Sequence, residues 1–241
     1  MRLDRFLVST GKISRSDAGR AARSGKVTVD GVVEKHADRQ IDPEINEITL
    51  HGERLTYRRY TYVLMNKPDG VVSATEDGRE RTVLDLLPEE LQRIGLFPCG
   101  RLDKHTLGLM LLTNNGALAH RLLSPRHHVS KRYRYTCRAP LKEEQRLLLE
   151  AGVTLEDGYT TKPARIEPSE NGLEGEIVLI EGKYHQIKRM FEAVDNKILS
   201  LERISFGPLS LDPELERGAW RYLTSEEISL LESNDQHTSE I

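Results

Sequence analysis

The spacing of apolar residues alternates between helical and strand periods along the chain. Leu3, Phe6 and Leu7 recur at i, i+3 and i+4, which predicts a short one-faced helix ended by Gly11. Ser14, three residues before Asp17, has the form of a capping box for a second helix. Ala18, Ala21 and Ala22 give that helix a narrow buried stripe, and Gly25 terminates it. The period then drops to two. Val27-Thr28-Val29 and Val32-Val33 flank Asp30-Gly31, a hairpin signal, and Ile48-Thr49-Leu50 adds a further strand. Residues 53–60 are polar, with Arg54, Arg58 and Arg59, and read as a linker.

Beyond the linker, Tyr62-Val63-Leu64-Met65 is a strand stopped by Asn66-Lys67-Pro68-Asp69-Gly70, a turn by composition. Thr82 to Leu87 begins a short helix that Pro88 ends. The organising stretch is Gly100 to Thr113. It opens with Arg101 and Asp103 and closes on the unbroken apolar run Leu109 to Leu112, the pattern of a strand buried on both faces. Gly116 to Leu123 is helical until Pro125 breaks it, and Glu176 to Ile180 is another strand. Tyr184, Ile187, Phe191 and Val194 form the core stripe of a helix. Lys188 lies at the edge of that stripe with His185 beside it, and Arg189 turns to the opposite face. Ile198–Leu201, Arg203–Phe206 and Pro208–Leu211 read as three short strands. Thr224 with Glu227 caps a last helix, Glu226 to Leu231, and the remainder is polar and expected to be disordered.

Composition changes this picture in two places. Net charge is only −3, yet it is unevenly spread. Met1 to Val29 carries seven basic residues against Asp4 and Asp17, while Asp212 to Ile241 carries eight acids against two arginines. A basic N-terminal module of this kind suits a polyanion. Arg2 and Arg5 share one face of the first helix, and Arg20 and Arg23 one face of the second. With Arg15 and Lys26 they are candidate RNA-phosphate contacts. The two cysteines, Cys99 and Cys137, have neither disulfide nor zinc spacing, which points to the reducing cytosol. No apolar run approaches the ~20 residues that span a bilayer, so no membrane partner is expected.

Candidate chemistry gathers in three segments. Asp103, in a loop edged by Gly100 and Gly108, is a candidate nucleophile. His120 to Arg134 carries five basic residues and three histidines without an acid. His127 and His128 are adjacent and cannot share one metal-binding helical face, so a basic groove wall of Arg126, His127 and Lys131 is the reading, with no metal. Tyr133 and Tyr135 alternate with Arg132 and Arg134, which sends aromatics and cations to opposite faces. Core packing of Tyr133 and stacking on an unpaired base both fit that pattern. Lys188 is the cation better placed to reach a cleft.

Two sets of motifs resemble known families. Arg-Leu-Asp-Arg-Phe-Leu, Ser-Arg-Ser-Asp-Ala-Gly-Arg and Gly-Lys-Val-Thr-Val-Asp-Gly resemble the S4 RNA-binding domain. Leu64-Met65-Asn66-Lys67-Pro68, Gly100-Arg101-Leu102-Asp103 through Thr113, Lys131-Arg132-Tyr133 and Glu181 through Met190 together resemble the pseudouridine synthases, and are most similar to the RsuA branch acting on small-subunit rRNA. Leu107 departs from that pattern, which usually has Ser or Thr there. The resemblance implies an α+β fold: a small S4-like α/β module over 1–58, a larger mixed, mainly antiparallel sheet domain with flanking helices over 59–233, and a tail over 234–241. It implies isomerisation of a uridine in 16S rRNA, with uridine 516 expected, by a cofactor-free monomer. Asp103 would be the catalytic acid, Lys188 its basic partner and Tyr133 the active-site tyrosine. Arg101 would fill the space the flipped base leaves, and His185 and Arg189 would contact RNA. Two other readings remain open: a non-catalytic S4-type ribosome-associated binder, and a synthase of the large-subunit branch. A glycosidic hydrolase is disfavoured because the central stretch offers one acid where two are ordinarily needed.

Overall fold

The structure, a computed structural model, describes residues 1–124 and 129–233. The chain divides into two compact units: Met1–Thr61 with Leu84–Phe97, and Tyr62–Val83 with Pro98 onward. The sequence reading put the boundary at residue 58 and gave 84–97 to the larger domain, whereas that segment groups with the first unit. Packing accounts for the difference, because a Cβ at Gly11 would run into the Glu90 carbonyl. Only glycine permits the approach, and its φ of +76° suits no other residue readily.

In the first unit, α1 (Leu3–Ser9) and α2 (Arg15–Arg23) pack over a sheet ordered β2-β1-β3-β4. These strands are β1 (Val27–Val29), β2 (Val32–Val33), β3 (Ile48–Leu50) and β4 (Glu53–Arg54). Ser14 Oγ accepts from the Asp17 backbone N–H at 3.3 Å, and Leu3, Phe6, Leu7, Ala18 and Ala22 form the buried centre. Residues 53–60 are a linker only in part. β4 pairs with β3, and Leu55 is buried. Pro88 does not end a helix but begins one: a 3₁₀ turn at Leu84–Leu86 precedes it, and α3 (Glu89–Arg93) follows it.

The second unit is built on a larger sheet ordered β13-β5-β7-β11-β8-β10-β9. Its strands are β5 (Tyr62–Lys67), β7 (Leu107–Thr113), β8 (Lys131–Cys137), β9 (Arg165–Pro168), β10 (Glu174–Leu179), β11 (Ile198–Phe206) and β13 (Trp220–Tyr222), while β12 (Leu209–Ser210) pairs with the end of β11. A further short strand, β6, covers Phe97–Pro98. The pairs are antiparallel except β7 with β11, the mixed, mainly antiparallel sheet expected. Helices α4 (Gly116–Leu123), α5 (Glu143–Ala151), α6 (Gln186–Glu192) and α7 (Ser225–Glu232) flank it. Two details differ from the sequence reading. β5 runs on through Asn66 and Lys67, both buried, before the turn begins. Ile198–Leu201 and Arg203–Phe206 are one strand with register shifts at Ile198/Ser200 and Arg203/Ser205. The expected tail and the Pro125 break lie outside the described residues.

Candidate active site

Directly opposed residues in a sheet point to the same face. One such row crosses the larger sheet: Lys67 lies opposite Gly108, Gly108 opposite Arg203, Arg203 opposite Tyr133, and Tyr133 opposite Ile177. Two cations and a tyrosine therefore share one face, with Lys67 and Arg203 wholly buried and Tyr133 only 8% exposed. Gly108 lets the row close up, because a Cβ there would strike the Arg203 backbone. Tyr133 stands two strand spacings from Gly108, roughly 10 Å.

The buried cations are bonded to backbone. Arg203 Nε donates to the Leu109 carbonyl at 2.8 Å, and its guanidinium lies over the Phe206 ring. Lys67 Nζ donates to the carbonyls of Pro68 and Lys104, each at 3.1 Å, and of Thr106 at 2.9 Å. Lys104 and Thr106 follow Asp103 directly, so one ammonium ties the Asp103 loop to β5. On the other side, Ser73 Oγ donates to the Leu102 carbonyl at 2.7 Å and accepts from its N–H at 3.0 Å. The Thr106 N–H closes the turn onto the Asp103 carbonyl at 3.0 Å. Asp103 is therefore presented from a loop fixed at both ends.

Its carboxylate meets two nitrogens from the start of α6. Lys188 Nζ lies 3.1 Å from Oδ2, and His185 Nε2 lies 3.5 Å from Oδ1. Lys188 reaches the carboxylate from the first turn of α6, and His185 from the left-handed residue just before that helix. Thr106 Oγ1 approaches Oδ2 at 3.5 Å, so a hydroxyl is supplied beside the position where Leu107 lacks one. The Asp103 and Lys188 side chains are 27% and 26% exposed, sheltered yet open to a substrate.

Burial pushes the Lys67 ammonium down to about 8, against the attraction of Asp69 and Asp103. The unfolded chain holds that proton up to about 10.4. Between these values the unfolded state binds more protons, so stability rises with pH from about 8 to 10. Lys67→Met should remove that rise and destabilise by about 1–3 kcal/mol or more, because buried carbonyls lose their donor. Urea midpoints of both proteins at pH 7 and pH 9.5 check this. Equal pH slopes would show that Lys67 keeps its proton throughout.

The other sequence candidates fall in several places. Arg2, Arg5, Arg15, Arg20, Arg23 and Lys26 are all exposed on the first unit, although Arg2 pairs with Asp4 and Arg20 with Asp17. Arg101 is exposed in the Asp103 loop. Lys131 turns inward: its Nζ donates to the Val129 carbonyl at 2.8 Å, and burial lowers it to about 8. Arg189 is held by Asp157 at 2.7 Å, away from Asp103. Arg126 and His127 lie outside the described residues. Tyr184, expected in the core stripe, is 74% exposed, because α6 begins only at Gln186. From sequence Lys67 figured only within the Leu64–Pro68 motif, with no role assigned, and Arg203 only as the start of a short strand. The Cys99 and Cys137 thiols are buried, with burial pushing Cys99 up to about 12. A cavity of about 750 Å³ lined by Asn66, Arg132, Arg134, Glu202 and Arg217 lies on the opposite sheet face, away from Asp103.

The chain belongs to the RNA pseudouridylate synthase family, whose model matches residues 61–193, and it is an isomerase of that family carrying an S4 domain matched over residues 1–44. It is 47% identical over 234 residues to the uncharacterized RNA pseudouridine synthase YtzG of Bacillus subtilis, covering 96% of this chain and 98% of the relative. It is 40% identical to the ribosomal small subunit pseudouridine synthase A of Vibrio cholerae (95% and 98% covered) and 38% identical to that of Escherichia coli (95% and 99%). Among solved structures, a pseudouridylate synthase crystal structure superposes with a TM-score of 0.68 at 36% identity, over 96% of this chain and 99% of that one.

Proposed function

We propose that this enzyme converts a uridine of small-subunit (16S) rRNA to pseudouridine, with uridine 516 the expected target and Asp103 the nucleophile. The observation that carries the reading is the Asp103 carboxylate held between Lys188 and His185 in a loop anchored by buried Lys67. The names of the relatives support the choice of rRNA. In the reaction the N1–C1′ bond breaks, the uracil turns within the site, and C5 bonds to C1′. The C5 proton leaves and N1 gains one, so atoms balance without a redox cofactor. Lys188 orients the carboxylate and balances its charge. Tyr133 stacks on the base and serves in proton transfer at C5. The uridine must leave its stack, which costs a few kcal/mol. Arg101 occupies the vacated position, where a planar guanidinium can stack and hydrogen-bond.

Incubation with small-subunit rRNA transcript or an early assembly particle, followed by carbodiimide-dependent primer extension, tests this directly. A new stop at the target with wild type is expected. A stop only on large-subunit rRNA, or none, would reject it.

The S4 arginines give a separate expectation. Replacing Arg15, Arg20 and Arg23 together by Glu should weaken RNA binding and flatten its dependence on log salt by about 0.7–0.9 per lost phosphate contact. An unchanged slope in a salt titration would make them merely solvated surface.

A further inference from the structure

Tyr184 is an aromatic ring left outside the core beside the candidate nucleophile. One of its faces is covered: the ring stacks on the His185 imidazole with centroids 3.9 Å apart and planes at 15°. That imidazole in turn reaches Asp103 Oδ1. With 74% of the residue exposed, the other ring face is open to solvent.

The pair is held in place. His185 has φ 49° and ψ 30°, a left-handed backbone unfavourable for a residue with a Cβ. Such outliers persist where surrounding structure over-determines them, and they gather at functional sites. Here the surroundings are specific. Arg189, anchored on Asp157, donates to the Tyr184 carbonyl at 3.4 Å. Glu181 accepts from the Tyr159 hydroxyl, the Lys162 N–H and Gln186 Nε2, and Gln186 Oε1 accepts from the Lys183 N–H. A ring fixed in advance loses little freedom when a ligand stacks on it.

We propose that Tyr184, backed by His185, is a stacking platform for an unpaired RNA base next to the target uridine. The proposal rests on the reading of Asp103 as the reacting centre. Single-stranded RNA is recognised largely by unstacked bases laid on aromatic side chains, and every base offers a face for this. The platform lies two stacked rings out from the carboxylate, within reach of a nucleotide flanking an extruded uridine. Lys183, exposed beside it, supplies positive charge for the connecting phosphates.

The test uses small-subunit rRNA fragments carrying the target uridine, with each flanking nucleotide in turn intact or abasic. On intact RNA, Tyr184→Ala should raise KM about tenfold with kcat within about twofold, while Tyr184→Phe and Tyr184→Trp stay near wild type. On the abasic fragment that removes the stacked base, wild type should fall to the Tyr184→Ala level, and the variant should lose nothing more. An unchanged KM for Tyr184→Ala, or losses that add in full, would overturn the platform. So would a fall in kcat and Tm shared by all three variants, which marks a structural role. A second measurement does not need turnover: Tyr184→Trp fluorescence should be quenched on RNA binding beyond the change at Trp220 in wild type. If wild type makes no pseudouridine but this quenching occurs, the function reading fails, and Tyr184 remains a base-stacking residue without a target uridine beside it. If pseudouridine forms without quenching, the platform fails alone.

Discussion

Asp103→Asn should yield a folded protein that makes essentially no pseudouridine, with kcat reduced by more than about 10⁴-fold, the scale for loss of a nucleophile. The substitution is nearly isosteric. The backbone bonds that shape the loop, from Thr106 N–H to the Asp103 carbonyl and from Lys67 to its carbonyls, do not involve the carboxylate. What is lost is charge and nucleophilicity, at a side chain a quarter exposed. Thermal unfolding should move little, and RNA affinity should hold within a few-fold, because phosphate contacts are assigned to the exposed arginines of the first unit. Primer-extension mapping with wild type and variant side by side reads the result. A persisting stop with Asp103→Asn would remove this residue from the chemistry and leave an RNA-binding protein whose catalytic group lies elsewhere.

Much of the first unit was legible because its determinants are local. Ser14 caps α2 three residues away, and Asp30 and Gly31 adopt φ values of 52° and 78°, the left-handed turn their residue types favour. β7 was legible from its unbroken apolar run. The site was legible in part. Helical spacing set His185 beside Lys188, and the pairing of Lys188 with Asp103, 85 residues away, came only through the family resemblance, while the approach of His185 to Asp103 was not foreseen. Lys67 was hidden because Asn-Lys-Pro-Asp-Gly has turn composition, while its acceptors at Lys104 and Thr106 are 37 and 39 residues distant. Arg203 was hidden because polar Glu202 split one strand into two, and its acceptor at Leu109 is 94 residues distant. Tyr184 was misread because helical spacing was extended one turn too far, across a left-handed residue no period announces. α5 passed unseen because Leu147 and Leu148 are exposed and only Leu149 is buried, so no stripe forms. Apart from α5, the deciding feature in each miss was a contact distant in sequence or a single backbone torsion.

Lys188→Met should lower kcat by about 10²–10³-fold, the range seen when one preorganised electrostatic partner is removed. The geometry gives the reason. Lys188 is the cation at Oδ2, at 3.1 Å, whereas His185 faces the other oxygen at 3.5 Å. The nearby buried cations cannot easily take its place: Lys67 is bonded to three carbonyls, and Arg203 is bonded to Leu109 beneath the Phe206 ring. Methionine keeps most of the stem that packs along α6, so folding should survive. Lys188→Arg should recover part of the rate, because a guanidinium restores the charge with a different reach. KM should change little in either variant. Because Lys188 is assigned to act through Asp103, the double variant Asp103→Asn, Lys188→Met should be no slower than Asp103→Asn alone. Single-turnover rates on the same rRNA fragment measure the four variants against wild type. If Lys188→Met stays within a few-fold of wild type, the ammonium is a structural counter-charge and some other group must steady the carboxylate.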